Sequence, residues 1–142
     1  MTESVRDDPV VRASMAGTLV FALAAILAAA TAADPLVVAA VVIDVLLFVA
    51  GCATFVVTLV RAAGRSRTEA VTLSGIWWLA GSAPADVRRM LLGALAVQVV
   101  VALATSSARP FTGLAFGILV PTYGLGLVGL WAVRLGVFPP RV

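Results

Sequence analysis

Residues 34–61 read DPLVVAAVVIDVLLFVAGCATFVVTLVR, an apolar segment whose interior contains one charged residue, Asp44. A helix needs about 20 apolar residues to cross the hydrocarbon core of a bilayer, and this segment is long enough. An ionised aspartate at the centre of a span costs about 2.5 to 3.5 kcal/mol on insertion scales. We therefore expect a transmembrane helix whose Asp44 faces the interior of a helix bundle or is protonated.

Three other segments of the chain are apolar over a comparable length. Of the 142 residues, 62% are hydrophobic and only 12% are charged. A soluble domain of this size exposes too much of its surface to hide so many apolar side chains. The sequence therefore predicts a single all-α membrane domain, residues 1–142. Its four transmembrane helices are expected at about 15–33, 36–60, 90–107 and 113–133.

The connections within the first and second pairs of segments are short. The first pair is separated by Ala33–Pro35, "ADP", and the second by Ala108–Gly113, "ARPFTG". Proline favours the first turn of a new helix and disfavours helix in the residue before it. Each pair is therefore predicted to form an antiparallel hairpin.

The arginines are distributed unequally between the two sides of this arrangement. Nine lie before the first segment, in the middle loop or after the fourth segment, and only Arg109 lies on the other side. Basic residues accumulate on the cytoplasmic side, and tryptophans at the interface, as Trp77, Trp78 and Trp131 do here. All ten basic residues are arginine, which is typical of a GC-rich bacterial genome. We expect a multi-pass protein of the bacterial inner membrane with both termini in the cytoplasm.

The first segment also has a second interpretation. Residues 19–35, LVFALAAILAAATAADP, end in small residues that resemble the cleavage site of a secretory signal. Against this, the apolar core is longer than a usual signal core, and the preceding tail contains Glu3, Asp7 and Asp8. We favour a retained span. A cleaved chain would keep three.

The middle loop contains a short amphipathic pattern. Leu73, Ile76, Trp77 and Ala80 recur at the spacing of one helical face. We expect a helix over about 68–80 that lies flat in the interface, followed by Ser82 as the cap of the next helix. This region either anchors the loop or docks a partner protein or anionic lipid headgroups. The residues of the anchor or docking surface are Trp77, Trp78, Arg61, Arg65, Arg67, Arg88 and Arg89.

Polar residues of two other spans lie at the depth of Asp44. Gln98 and Tyr123 are each about ten residues from the outer ends of their segments, and Thr122 precedes Tyr123. The Gln98 amide and the Tyr123 hydroxyl are expected to donate hydrogen bonds to Asp44. Such a cluster would hold the helices together, exchange a proton or cation for a solute, or contact a helix of a partner protein.

The fourth segment combines a proline with several glycines. Pro121 is expected to kink the helix, as a packing adjustment rather than a hinge. Gly113, Gly117 and Gly124 are expected to let neighbouring helices approach closely.

Most familiar catalytic sites are excluded by composition. The chain has no histidine and one cysteine, Cys52, which we interpret as a small packing residue. This excludes zinc sites built on His or paired Cys, Cys/His and Ser/His/Asp relays, and an intrachain disulfide. The scattered arginines do not form a nucleic-acid patch. We expect no enzyme activity, no metal and no cofactor.

Two stretches carry a resemblance to known proteins. GIWWLAGSAPADVRRMLLGALAVQ, residues 75–98, and VPTYGLGLVGLWAVRLG, residues 120–136, resemble small four-span membrane proteins of actinobacterial type. The resemblance covers most of the chain and implies a membrane location, but no activity. The layout also resembles that of the small multidrug-resistance exporters. Their essential glutamate lies in the first span, whereas the acid here lies in the second.

Two functions are consistent with these features. The first is a non-enzymatic accessory or assembly protein that acts through a lipid contact or through a partner, either another membrane protein or a second copy. The alternative is a small proton- or cation-coupled transporter or flippase that works as a homo-oligomer, with Asp44 as the coupling carboxyl.

Overall fold

The chain folds as a succession of helices, described by a computed structural model for residues 5–142. A 3₁₀ turn, Val5–Asp7, precedes α1, Pro9–Thr31, and α2, Asp34–Arg65. After them come α3, Leu73–Trp77, α4, Ala85–Ala108, a 3₁₀ helix, Gly113–Leu119, and α5, Pro121–Leu135. Four segments are long and apolar enough to cross a membrane: α1, α2, α4, and the 3₁₀ helix together with α5. The predicted all-α, four-span fold is confirmed.

The turn between α1 and α2 follows from its residues. At the start of α1, Asp8 Oδ1 accepts hydrogen bonds from the backbone N–H groups of Val10 and Val11, at 2.8 and 3.2 Å. At its end, Ala32 adopts a left-handed conformation with φ 53°, which reverses the chain. α2 then begins with Asp34 and Pro35 in its first turn. Two residues therefore suffice to connect the hairpin.

α2 extends well past the span predicted from hydropathy. Its 32 residues give a length of about 48 Å, whereas a hydrocarbon core is about 30 Å thick. α2 is therefore longer than a membrane crossing requires, and its last residues include Arg61 and Arg65. α4 likewise begins at Ala85, before the predicted span at residue 90.

The most extensive contacts join helices that are distant in sequence, α2 with α5 and α1 with α4. α2 and α5 approach closely because both have glycines at the contact. An ideal Cβ on Gly51 would lie 2.5 Å from the Tyr123 backbone nitrogen, and one on Gly126 would lie 2.6 Å from the Gly51 carbonyl oxygen. The two backbones are therefore in direct contact.

The two ends of the bundle differ in structure. At one end, Trp131 Nε1 donates to Asp8 Oδ2 at 3.3 Å, which joins the C-terminal part of α5 to the start of α1. This end, which we call the loop end, also contains α3, the middle loop and the C-terminal tail. The other end, the turn end, contains the α1–α2 turn and the loop before Gly113. There Arg109 Nε donates to the Ala29 carbonyl at 3.2 Å.

The C-terminal tail is paired with the middle loop. Ala70 N donates to the Pro139 carbonyl at 2.8 Å, and Arg141 N donates to the Thr68 carbonyl at 2.9 Å. Val137 N donates to the Ser82 carbonyl at 3.0 Å. We call these two paired segments, residues 68–82 and 136–141, the platform. They form one layer across the loop end.

The middle loop corrects two predictions. The helix expected over 68–80 is limited to α3, because Glu69 pairs with Pro140 in an isolated antiparallel bridge. Leu79, with φ 52°, turns the chain after α3. The Ser82 hydroxyl does not cap α4; it donates to the Gly75 carbonyl at 2.6 Å. The pairing with the distant tail therefore overrides the local helical pattern.

We predict that Gly51→Ala destabilises the bundle and Gly64→Ala does not. The alanine methyl at position 51 would overlap the α5 backbone, and overpacking of this kind costs about 1 to 3 kcal/mol. A Cβ on Gly64, in the same helix, meets nothing within 4 Å. Thermal unfolding in detergent measures both. Equal unfolding temperatures for the two variants would contradict the close α2–α5 approach.

Candidate functional site

A chain of hydrogen bonds through Gln98 joins three of the four spans. Gln98 is completely buried on α4, and its Nε2 donates to Thr18 Oγ1 of α1 at 2.7 Å. Its Oε1 accepts from the backbone N–H of Gly124, in α5, at 3.1 Å. The Thr18 hydroxyl in turn donates to the Ser14 carbonyl at 2.7 Å. The Thr18 hydroxyl and the Gln98 amide therefore form hydrogen bonds between helices.

The Gly124 N–H needs such an acceptor because the fourth span changes its helix type at Pro121. Pro121 has no N–H, and Tyr123 N donates to the Val120 carbonyl at 2.8 Å, as in a 3₁₀ turn. The first N–H groups of the following α-helix lack intrahelical partners. An ideal Cβ on Gly124 would lie 2.5 Å from Gln98 Oε1, so the absence of a side chain there makes room for the amide.

Tyr123 bonds to α1. Its hydroxyl donates to the Ala13 carbonyl at 2.6 Å. The ring lies against Gly17, where an ideal Cβ would come within 2.7 Å of the Tyr123 hydroxyl oxygen. Tyr123 therefore links α5 to the loop-end part of α1.

Asp44 faces the bundle interior with a side chain 2% exposed. Its Oδ1 is buried and has no hydrogen-bond partner among residues 5–142. Beside it lies Gly117, on which an ideal Cβ would be 3.7 Å from Asp44 Oδ2 and 3.4 Å from the Phe21 ring. The carboxyl therefore lies close to the Gly117 backbone.

The predicted hydrogen bonds from Gln98 and Tyr123 to Asp44 are wrong. Both donors bond instead to α1, which packs closely on α4 and also contacts α5. The polar residues therefore divide into two groups at the bundle centre. One is a bonded chain through Gln98, and the other is an isolated carboxyl.

Two residues of this site, Ser14 and Thr18, were not predicted from the sequence. They lie four residues apart, and Thr18, Phe21, Ala25 and Ala28 continue the same buried face of α1. This i, i+4 polar pair on an apolar helix face was the available signal. The Ser14 hydroxyl, like Asp44 Oδ1, is buried without a partner in the described part of the chain.

The other residues predicted on the fourth span lie at helix contacts. An ideal Cβ on Gly113 would come within 2.7 Å of Val41 Cγ2 on α2. Thr122 is half-buried and lies against Gly51 through its backbone. Pro121 begins α5 where the 3₁₀ helix ends.

Arg65, predicted as part of a docking surface, instead caps the C-terminal end of α5. Its guanidinium donates to the carbonyls of Ala132, Val133 and Gly136 at 3.3, 3.0 and 2.9 Å. Nε donates to Glu69 Oε2 at 2.9 Å, and the group lies 5.0 Å from the centre of the Phe138 ring. Helix C-termini leave carbonyls unsatisfied, and an arginine fork is suited to several of them.

The two adjacent tryptophans have different surroundings. Trp77 stacks on Phe55, with ring centroids 4.8 Å apart, and an ideal Cβ on Gly129 would lie 2.5 Å from it. Trp78 is 63% exposed. Trp78 therefore remains on the surface, whereas Trp77 packs against α2 and α5. The other predicted surface arginines are all exposed: Arg61, Arg67, Arg88 and Arg89.

Metal-binding side chains are dispersed. Within residues 5–142, no three His, Cys, Asp or Glu side chains lie close enough to hold a metal ion. Cys52 is half-buried with a free thiol.

We predict that Gln98→Leu lowers the free energy of unfolding by about 1 to 3 kcal/mol, because the Gly124 N–H loses its acceptor inside the bundle. A double-mutant cycle with Thr18→Val should give a coupling of about 0.6 to 1.7 kcal/mol. Thr31→Val is the matched control. Thr31 makes the same local bond, to the Leu27 carbonyl at 2.8 Å, but is exposed. Additive effects of Gln98→Leu and Thr18→Val would contradict the hydrogen-bond chain.

Comparison with known proteins provides no relative from which a function can be transferred. The chain matches no family model, no curated protein and no solved structure.

Proposed function

We propose that the protein is a non-enzymatic accessory or assembly protein of a bacterial inner membrane, which holds another membrane protein through its platform. Both termini and the middle loop are then cytoplasmic. The orientation is supported by the nine arginines at the loop end and the single Arg109 at the turn end.

The observation that carries the proposal is the exposure of apolar side chains on a fixed platform. Leu73, Trp78 and Val137 are 74%, 63% and 73% exposed. Their neighbours Ile76 and Phe138 are buried against the bundle. Exposed apolar residues on a rigid support are typical of an interaction surface, and tryptophan often contributes much of the binding energy.

The polar groups around this surface support a partner that carries acidic groups. Arg61 and Arg67 are exposed near the platform, and within residues 5–142 neither forms an ion pair. Arg65, by contrast, already donates to carbonyls at the end of α5 and forms an ion pair with Glu69. The platform would therefore offer an apolar centre beside a basic margin.

The proposal predicts a specific protein adduct at the platform. A photo-crosslinking amino acid placed at position 73, 78 or 137 should give one discrete adduct of constant mass in cells. Placed at Leu46 or Leu103, which are exposed on spans, it should give lipid adducts only. Mass spectrometry identifies the adducts. Lipid adducts alone at the platform would contradict the proposal, because the platform would then only be inserted in the interface.

Binding of the identified partner provides the second half of this test. Leu73→Ser with Trp78→Ser should lower its co-purification about tenfold or more, because two apolar anchors are removed. Phe111→Ser is the matched control, since Phe111 is a fully exposed apolar residue at the turn end. An equal loss in both variants would contradict a contact at the platform.

The alternative, a proton- or cation-coupled transporter or flippase that works as a homo-oligomer, is favoured by one observation. Asp44 Oδ1 is buried without a partner among the described residues. A buried unpaired carboxyl destabilises a fold, and an ionisable residue inside a membrane is a functional candidate by default. Asp44 would then carry the exchanged proton or cation.

We predict that Asp44→Asn leaves expression and the unfolding temperature nearly unchanged, because Asp44 Oδ1 has no hydrogen-bond partner among residues 5–142. If the protein is a coupled transporter, the variant should also abolish solute-driven pH changes in proteoliposomes. Asp34→Asn, an exposed acid at the turn end, is the control. An accessory protein should show no such pH change in the wild type, and Asp44→Asn should keep its partner.

A further inference from the structure

We propose that a groove between α1 and α4 binds one anionic phospholipid, with its acyl chain along the groove and its phosphate among arginines at the loop end. This inference does not rest on the proposed function, since the groove is lined by α1 and α4, whereas the proposed partner contact is made by Leu73, Trp78 and Val137. It also does not depend on which side of the membrane the loop end occupies.

The groove is apolar and runs parallel to the helices. It has a volume of about 360 Å³ and is lined mainly by Met15, Leu19 and Ala22 of α1 and by Gly93, Ala94 and Val97 of α4. From Arg89 to Val97 it covers eight residues of α4, which is about 12 Å along the helix axis. An acyl chain lies in this same direction in a bilayer.

Gly93 keeps the groove open. An ideal Cβ at this position would meet no heavy atom within 4 Å. The side chain of a larger residue would therefore begin in open space at the groove. Ala22 and Ala94, on either side, are also small.

The loop end of the groove is basic. Arg89 lines both the groove and an adjoining hollow of about 610 Å³, which Arg88 also lines. A third hollow, of about 380 Å³, is lined by Arg6 and Arg12 and shares Met15 and Met90 with the groove. The three hollows therefore adjoin one another, and four arginines line them at the loop end of the groove.

These arginines are available to an anion. All four are exposed, and the only ion pair within residues 5–142 joins Arg65 to Glu69, elsewhere on the loop end. Asp7 and Asp86 are near them in sequence, yet neither forms an ion pair with any of the four in the described part of the chain. The charge that remains is positive and lies at the depth of the headgroups.

This combination of charge and shape fits an anionic phospholipid. Guanidinium groups bind phosphate oxygens in bidentate pairs, and basic residues at a membrane surface attract anionic lipids by about 1 kcal/mol each. A zwitterionic lipid offers the same acyl chain without the net negative charge. A free phosphate offers the charge without the chain. The groove uses both features, which selects the anionic lipid.

The test uses the purified full-length protein and two lipids with identical acyl chains, phosphatidylglycerol and phosphatidylcholine. Native mass spectrometry counts the bound lipids, and titration followed by thermal unfolding gives apparent affinities. We expect one phosphatidylglycerol to bind about tenfold or more tightly than phosphatidylcholine. Inorganic phosphate alone should not raise the unfolding temperature.

Two kinds of variant locate the site. Gly93→Leu should abolish the tight binding by filling the groove while all arginines remain. Arg88→Gln with Arg89→Gln should weaken it about thirtyfold. The matched control is Arg61→Gln with Arg67→Gln, which removes the same charge from exposed positions away from the groove. This control should keep the tight lipid.

Three outcomes would overturn the proposal. The first is an equal loss of lipid in both double-arginine variants, which would indicate diffuse attraction by net charge. The second is unchanged binding in Gly93→Leu when its unfolding temperature without lipid equals that of the wild type. If that variant is unstable, unchanged binding in the Arg88/Arg89 variant overturns the proposal instead. The third is a wild-type protein that is dimeric and shows no preference between the two lipids, and that becomes monomeric in the Gly93→Leu variant. The groove would then hold a second copy of the chain.

Discussion

The hydrogen bond from the Gly124 N–H to the Gln98 side chain meets a requirement that the bilayer places on this fold. No water is available in the hydrocarbon to satisfy a backbone group that its own helix leaves unpaired. The fourth span contains such a group because it changes from 3₁₀ to α-helix at Pro121. Gln98 supplies the acceptor from α4, and through Thr18 the same amide reaches α1. One side chain thereby sets the relative positions of three spans.

The remaining helix, α2, is held against α5 by close packing and, at the loop end, by the hydrogen bonds of Arg65. Gly51 and Gly126 bring the backbones of α2 and α5 into contact, which increases the dispersion interactions between them. These interactions matter inside a bilayer because no hydrophobic effect drives one helix onto another there. Asp44 lies on this same helix, and its Oδ1 makes no hydrogen bond within the part of the chain that the structure describes. Gln98, Tyr123 and Arg65 therefore join helices through hydrogen bonds, whereas Asp44 Oδ1 does not take part among residues 5–142.

The loop end obeys the same rule about unsatisfied backbone groups, with different residues. Arg65 satisfies three carbonyls at the end of α5, and the tail that follows pairs with the middle loop. These bonds fix the platform relative to the spans, so that Trp78 and its exposed neighbours keep a defined arrangement. On α1 and α4, small side chains beneath exposed arginines produce a groove instead. The same bundle therefore carries two candidate surfaces, the platform and the groove between α1 and α4.

The sequence alone determined the bilayer location, the four helices, the short hairpin turns and the one-sided distribution of arginines. These features depend on hydropathy and turn chemistry within about 20 residues, so they can be read locally. It also identified Gln98, Tyr123 and Asp44 as intramembrane polar residues. The tertiary structure alone decided their partners, because rotation and register between distant helices are not encoded in any local pattern. Gln98 bonds to Thr18, which lies 80 residues away. Arg65 became a cap and the middle-loop helix was shortened for the same reason, since the C-terminal part of the chain supplies the partners of both.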